Sequence, residues 1–484
     1  MTEIEFIDWL KKGGRYTLLV EVDTTVPRYL STVAYTTLPT DSPANRVYSP
    51  VVSGGVAFTE TLPLDGSATL SVGDIELNND DGLLDSWLDD VWVNKPIRIY
   101  IGDVSWVRAD FRLIFTGIVD NINSRAANRL NISLRDKLQR LNTPVSETLL
   151  GGTTSNKDRL IPLCFGEVHN VEPLLVDPAT LKYKVHGSAI ERLIEVRDNG
   201  APVSVNESLI DGTFTLVAQQ AGTITCSVQG DKPTTTYSNS IADTITRLVT
   251  GYGKVSDRLT TADIDTAQFA AFNAAHPQPV GVYLNDRSNV IEVCQQLASS
   301  VGAQISMSRE GLLRLLKITL PATGTPLVVT PSDYVAKSLE IKERVDVKAA
   351  IKVGYCKNYT TQTGLNTGLP ASHKDLFMQE YLSVTAKNQS VADTYKLNTE
   401  PVQTDTLLLT ESDATAEANR LLTLWQQPRT VYKFVGYSHL LTVSLGQALT
   451  LVSSRFGLSE GKTGIVVGVQ SDWVSRRVTI EVLI

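Results

Sequence analysis

The chain has 484 residues, 42% of them hydrophobic, with 44 basic and 52 acidic side chains and a formal net charge of -8. That length supports several compact domains, each with its own core, and the acidic balance excludes a sequence-independent grip on nucleic acid, which needs a basic surface to displace counterions. No apolar run approaches the roughly 20 residues that span a bilayer. The opening Met1-Thr2-Glu3-Ile4-Glu5 lacks the basic region and apolar core of a secretion signal, so the sequence predicts synthesis in a cytoplasm and no stable membrane association.

Thr2 to Lys12 predicts a short helix with Ile4, Ile7 and Leu10 on one face, acids early and lysines late, ended by Gly13-Gly14. Arg15 to Thr37 alternates and is rich in Tyr, Val and Thr, which predicts two strands broken at Pro27, followed by an exposed loop from Leu38 to Arg46. Strands over Val51 to Thr61 and Ala68 to Leu77 lead into Asn78-Asn79-Asp80-Asp81-Gly82 and a helical turn over Leu83 to Leu88, with Asp81 as its cap. A calcium-loop reading fails there, since Leu77 and Leu88 fall where the first and twelfth ligands belong. Strands Ile97 to Ile101 and Phe111 to Asn123 then open a hairpin that returns through Leu130-Asn131-Ile132-Ser133-Leu134.

After the loop Gly151 to Asp158, Leu160 to Gly230 is again β, with Asp198-Asn199-Gly200 as a hairpin turn. Helical periodicity follows. Ser240 and Asp265 stand as caps, and Asn289 with Glu292 forms a capping box before Val290, Val293, Cys294, Leu297 and Val301. A hairpin over Gln304 to Ile318 turns at Arg309-Glu310-Gly311; from Ala349 the chain returns to β character with Ile351 to Tyr355, and the polar stretch after it, to about Lys374, reads as a long loop. Thr410 with Asp413 starts a helix through Trp425, and four strands from Val431 to Ile484 finish the chain. The elements divide the chain into a β domain with an N-terminal helix over 1-148, a β domain over 149-235, an α+β domain over 236-340 and a second β domain over 341-484. The expected class is mainly β, multidomain, with an α+β middle.

One pattern occurs twice. Thr116-Gly117-Ile118-Val119 leads through a polar turn into Leu130 to Leu134, and Thr463-Gly464-Ile465-Val466 leads in the same phase into Val478-Thr479-Ile480-Glu481-Val482. One module used twice is the economical reading. The alternation predicts Ile118 and Ile122 on one face and Val119 on the other, with Ile465, Val469 and Val466 repeating that arrangement.

Chemistry is sparse. His169, His186, His276, His373 and His439 stand singly, with no second His or Glu at ligand spacing, and Cys164, Cys226, Cys294 and Cys356 read as buried reduced thiols. Gly436-Tyr437-Ser438-His439-Leu440 lacks the closing glycine of a hydrolase elbow. No phosphate-cradling loop is present. Trp87, Trp92 and Trp106 read as core or interface in preference to a sugar platform. Hence no catalytic, cofactor or metal residues are assigned, and no enzymatic activity is expected.

The phrases Leu160 to Phe165, Gly222 to Gly230, Ala262-Asp263-Ile264-Asp265, Gly281-Val282-Tyr283, Leu445-Gly446-Gln447 and Gly464-Ile465-Val466, in that order, resemble the central hub proteins of siphophage tail tips and baseplates. The resemblance implies two tail-tube-like β domains flanking β and α+β inserts, and a homotrimer adapting a sixfold tube to a threefold tip. It further implies a place in the virion after assembly in a bacterial cytoplasm, with distal tail, tube, tape measure and tip or central fibre proteins as partners. DNA would meet the chain only in passage through the channel. The alternatives are a hexameric distal tail ring protein and a carbohydrate-binding or depolymerising tail protein. The end of the sequence at Ile484, without a fibre-like or lytic extension, assigns receptor contact and cell-wall cleavage to other proteins.

Overall fold

The computed structural model describes residues 1-233 and 236-484; Thr234 and Thr235, at the predicted end of the second domain, lie outside the described residues. The chain is mainly β and forms two units. The first comprises Met1–Gln139, Gln304–Val345 and Arg429–Ile484, the second Arg140–Ala303 and Asp346–Pro428. The four consecutive segments expected from the sequence are therefore interleaved. The hairpin at Gln304 leaves the α+β segment for the first unit, and the stretch Asp346–Pro428 leaves the last β segment for the second, its helix Glu411–Trp425 packing on that stretch's own strands Ala350–Tyr355 and Leu382–Lys387.

Strands of the first unit that concern us are β1 (Tyr16–Val22), β2 (Val52–Gly54), β3 (Ala57–Thr61), β4 (Thr69–Val72), β5 (Ile75–Asn78), β6 (Pro96–Asp103), β7 (Arg112–Ala126) and β8 (Arg129–Arg135). From the later segments come β9 (Ala303–Met307), β10 (Leu313–Lys317), β11 (Leu327–Val329), β12 (Glu340–Val345), β13 (Arg429–Gly436), β14 (Ala448–Leu451), β15 (Lys462–Asp472) and β16 (Arg477–Leu483). One sheet runs β1-β6-β7-β8-β5-β2, with Arg28–Ser31 outside β1; the other runs β11-β14-β15-β16-β13-β12. Five strands match in order, and their four pairings are antiparallel in both sheets. The sixth differs in direction, since β1 is antiparallel to β6 whereas β11 is parallel to β14.

Register matches as well as order. Gly117 faces Ile97 and Ile118 faces Arg135; Gly464 faces Leu449 and Ile465 faces Leu483. Each long strand carries a bulge after its Thr-Gly-Ile-Val, between Val119 and Asn121 and between Val466 and Gly468. A bulge inserts one residue and flips the alternation beyond it. This corrects the expected faces: Ile118 opposes Arg135 and Ile122 opposes Ile132, an odd separation along β8, so the two isoleucines lie on opposite faces. Ile465 and Val469, opposite Leu483 and Ile480, do the same.

The first helix, Glu3–Lys12, has the Thr2 and Glu5 capping box and a left-handed Gly13. It buries Phe6 and Leu10 and leaves Ile4 74% exposed, because an i, i+4 pair of large side chains outweighs the Ile4 stripe expected from periodicity. Within the second unit, a five-stranded and a four-stranded sheet share a core of Cys164, Val168, Val196, Phe214 and Val228. The predicted turn holds Asn199 and Gly200 at φ 46° and 82° between the paired Asp198 and Ala201. Helices Ile241–Gly251, Thr266–Ala275 and Val290–Ser299 follow, the last with its Asn289 and Glu292 box. The stretch read as a loop to Lys374 contains the start of a helix, Ala371–Met378.

Candidate assembly surface

The residues that chemistry would use are spread apart or already engaged. His186 is fully buried; its Nδ1 accepts from the Cys164 N–H at 2.9 Å and its Nε2 lies 3.3 Å from Asp231. Burial opposes charge on Asp231, but hydrogen bonds from His186 and Arg247 prevail and hold its pKa down at about 2. His169 pairs with Glu167, and His439 with Asp333 at 3.1 Å. Ser438 neighbours that pair in sequence, yet its hydroxyl donates to the Leu10 carbonyl at 2.7 Å, so no nucleophile and base are joined. Burial pushes the Cys164, Cys226 and Cys294 thiols up, the reverse of activation. Among the described residues no His, Cys, Asp and Glu side chains group as metal ligands, and no helix is long and apolar enough to cross a membrane.

The tryptophans do not share a platform. Trp92 is buried and donates to the Trp87 carbonyl, Arg28 covers Trp87, and Trp106 lies against Trp9 with ring centroids 4.5 Å apart and planes tilted by 46°. Asp81 accepts from Leu83 N–H in a turn instead of capping a helix; the helical turn itself is a 3-10 segment, Asp85–Asp89.

What the fold does build twice is a strand pair entered by one kind of turn. Asn94 N–H donates to Val119 C=O and Val119 N–H to Lys95 C=O, at 2.9 Å each. Gly446 N–H donates to Val466 C=O and Val466 N–H to Gln447 C=O, again at 2.9 Å. Asn94 and Gly446 are both left-handed, at φ 62° and 79°. The glycines of the repeated phrase share a cause too: a Cβ on Gly117 would stand 2.7 Å from the Arg135 carbonyl, and one on Gly464 would stand 2.2 Å from the Leu483 carbonyl.

Beyond the bulges the copies part. Strand β3 pairs antiparallel with β15 from Gly468 to Asp472 and covers its edge. Leu62 N–H donates to Val467 C=O at 2.8 Å and Trp473 N–H to Val56 C=O at 3.0 Å, so groups at 467 and 473 point toward the cover. Arg309, in the β9-β10 turn, fastens this arrangement. Its Nε pairs with buried Glu60 of β3 at 2.9 Å, and its Nη atoms donate to Leu441 and Val443 carbonyls at 3.0 and 2.9 Å. The Arg309 carbonyl accepts from Thr116 N–H of the first copy at 2.7 Å. One residue therefore touches both copies and the covering strand. Burial pushes the Glu60 pKa up, and Arg309 opposes that rise. Sequence reading gave Arg309 no role beyond a turn, since nothing in one chain distinguishes a clamping arginine from an exposed one.

In the first copy β6 pairs with β7 only as far as Ile118, and among the described residues no strand lies on that side of Asn121 to Ala126. Asp120, Asn121, Ser124, Arg125 and Ala126 are exposed. Next to this edge Val93 is 49% exposed, whereas its counterpart Leu445 is 8% exposed.

No protein-family model matches the chain, and no curated protein matches it. Solved structures align with the chain at low identity. The 43 kDa tail protein of prophage MuSo2 from Shewanella oneidensis aligns over 96% of this chain and 98% of its own, at 10% identity and TM-score 0.41. A tail protein from Neisseria meningitidis MC58 aligns over 97% and 96%, at 9% identity and TM-score 0.41. A chain of a native gene transfer agent virion aligns over 72% and 91%, at 12% identity and TM-score 0.45.

Proposed function

We propose that this chain is a structural subunit of a phage tail tip, a hub in which three copies present six related β modules to a sixfold tail tube. The observation that carries the reading is the duplication within one chain: five strands in one order, with the same register, the same bulge and the same left-handed entry turn. A ring that meets a sixfold tube needs six equivalent surfaces, and two modules per chain reach that number with three chains. The distal tail, tube, tape measure and tip proteins are the neighbours such a hub meets, and DNA passes through its channel without being held. A net charge of -8 suits that passage, because a basic lining would retain phosphates by counterion release. The residues that resemble catalytic groups are engaged in structural bonds, which supports a role without turnover. Native mass spectrometry of the purified full chain tests the reading: a mass of three chains is expected, and a stable monomer or a six-chain ring overturns it.

A further inference from the structure

Resting on that reading, we infer that the uncovered edge of β7, Asn121 to Ala126, is where a neighbouring copy of this chain docks, through the free edge of its β12.

The argument is a comparison of the molecule with itself. In the second copy, outward backbone groups of the long strand at 467 and 473 are taken by Leu62 and Val56, which flank β3. Counting from the shared bulge, the matching outward positions in the first copy are 120, 122 and 124; a second register shift between Asn123 and Ala126 then turns Ala126 inward, where it pairs with Arg129. No strand among the described residues reaches them. One of these is closed by a side chain instead: Ile122 N–H donates to the Asn121 Oδ1 at 2.9 Å. Such a local bond is readily exchanged for a strand ladder, and an exposed strand edge is a template for pairing with another chain.

The covering strand in the second copy also indicates what covers the first. β3 continues directly from β2, the terminal strand of the first sheet. The strand in the place of β2 in the second sheet is β12, also terminal, and its residues Glu340 to Arg344 are all exposed. Repeating the internal junction once more sets β12 of one chain beside β7 of the next. The contact is head to tail, which closes a ring. The exposed Val93 beside the edge gains the cover that its counterpart Leu445 already has.

Hydrogen exchange on the full chain, assembled and diluted to monomer, tests this. Amides of Ile122 and Ser124 should slow at least about tenfold on assembly, while those of Val469 and Ser471, covered within the chain, should be slow in both states and report that the fold persists. Ser124→Pro removes an outward N–H without touching the β8 ladder, as proline at a strand edge allows. It should weaken self-association at least about tenfold while leaving Val469 and Ser471 protected. An assembled ring in which Ile122 and Ser124 still exchange freely, or in which Ser124→Pro assembles like the natural chain, overturns the inference and leaves the hub reading standing. A chain that stays monomeric at every concentration overturns both.

Discussion

Asn94 and Gly446 occupy the same left-handed turn in two copies of one module, each donating its N–H to the carbonyl of the valine that closes Thr-Gly-Ile-Val. Glycine visits that region freely and asparagine is the side chain that tolerates it best. The copies have kept the conformation while changing the residue. Asn94→Gly and Gly446→Asn should each change stability by no more than about 1 kcal/mol, whereas Gly446→Val, forcing a branched side chain to positive φ, should cost about 1–3 kcal/mol. Chemical denaturation of the three variants measures this, and a costly Gly446→Asn would deny the equivalence.

Gly117 and Gly464 are needed for close approach and not for φ. An added Cβ meets the Arg135 carbonyl at 2.7 Å in one case and the Leu483 carbonyl at 2.2 Å in the other. Backbone has less freedom to retreat than a side chain, so both alanine variants should lose about 1–3 kcal/mol. Gly464→Ala should lose more. Thermal unfolding midpoints rank the two, and an undisturbed Gly464→Ala would show that the strands separate more easily than their pairing suggests.

Arg309 neutralises Glu60 in a site where both are nearly inaccessible, at 9% and 6% exposure. Removing one partner of a buried pair leaves an uncompensated charge and typically costs about 3–5 kcal/mol. Arg309→Met should therefore destabilise the first unit strongly, because Glu60 and two carbonyls lose their donor. Glu60→Gln should cost less, and the double variant should recover part of the Arg309→Met loss. A strictly additive double-variant cycle would refute this coupling.

The alternating strands, most helix caps and the Asn199-Gly200 turn were legible because each depends on a few adjacent residues. The repeat was legible for the same reason. The bulge was not, because an extra residue at Asp120 or Val467 looks like any other strand residue until its partner strand is known. The interleaving of the two units was hidden likewise: the Gln304 hairpin reads correctly as an element, but the partners of its Arg309, Glu60 and the Leu441 and Val443 carbonyls, lie far away in sequence. Arg309 shows the limit for sites. Its importance comes from Glu60, Leu441, Val443 and Thr116, contributed by three separate stretches.

Asp136, just beyond β8, is 4% exposed, and burial pushes its pKa up to about 6 against the N–H groups of Leu138 and Gln139. An unfolded aspartate titrates near about 3.9. The native state thus holds a proton that the unfolded state has released between these values, so this group's contribution is fully present below about pH 4 and is lost as pH rises through 6. Asp136→Asn should gain stability relative to the natural chain at pH 7.5 and lose that advantage at pH 4. Urea unfolding at the two pH values gives the difference, and an advantage independent of pH would contradict the assignment.

Ser438, His439 and Asp333 offer the side chains of an acyl-transfer triad without its bonding. His439 is turned to Asp333, and Ser438 donates to the Leu10 carbonyl in the first helix. Burial lowers the His439 pKa, with Asp333 opposing, but a base needs a nucleophile within hydrogen-bond reach to act on. The serine's role is then to fasten the helix, and its loss should cost about 0.5–1.5 kcal/mol, the net worth of one such bond. Purified protein should release neither reducing sugar nor peptide from host envelope, and Ser438→Ala should lower the unfolding midpoint while leaving that null result unchanged. Product release that disappears in Ser438→Ala, with folding intact by circular dichroism, would turn this structural serine into a catalytic one and the chain into an enzyme.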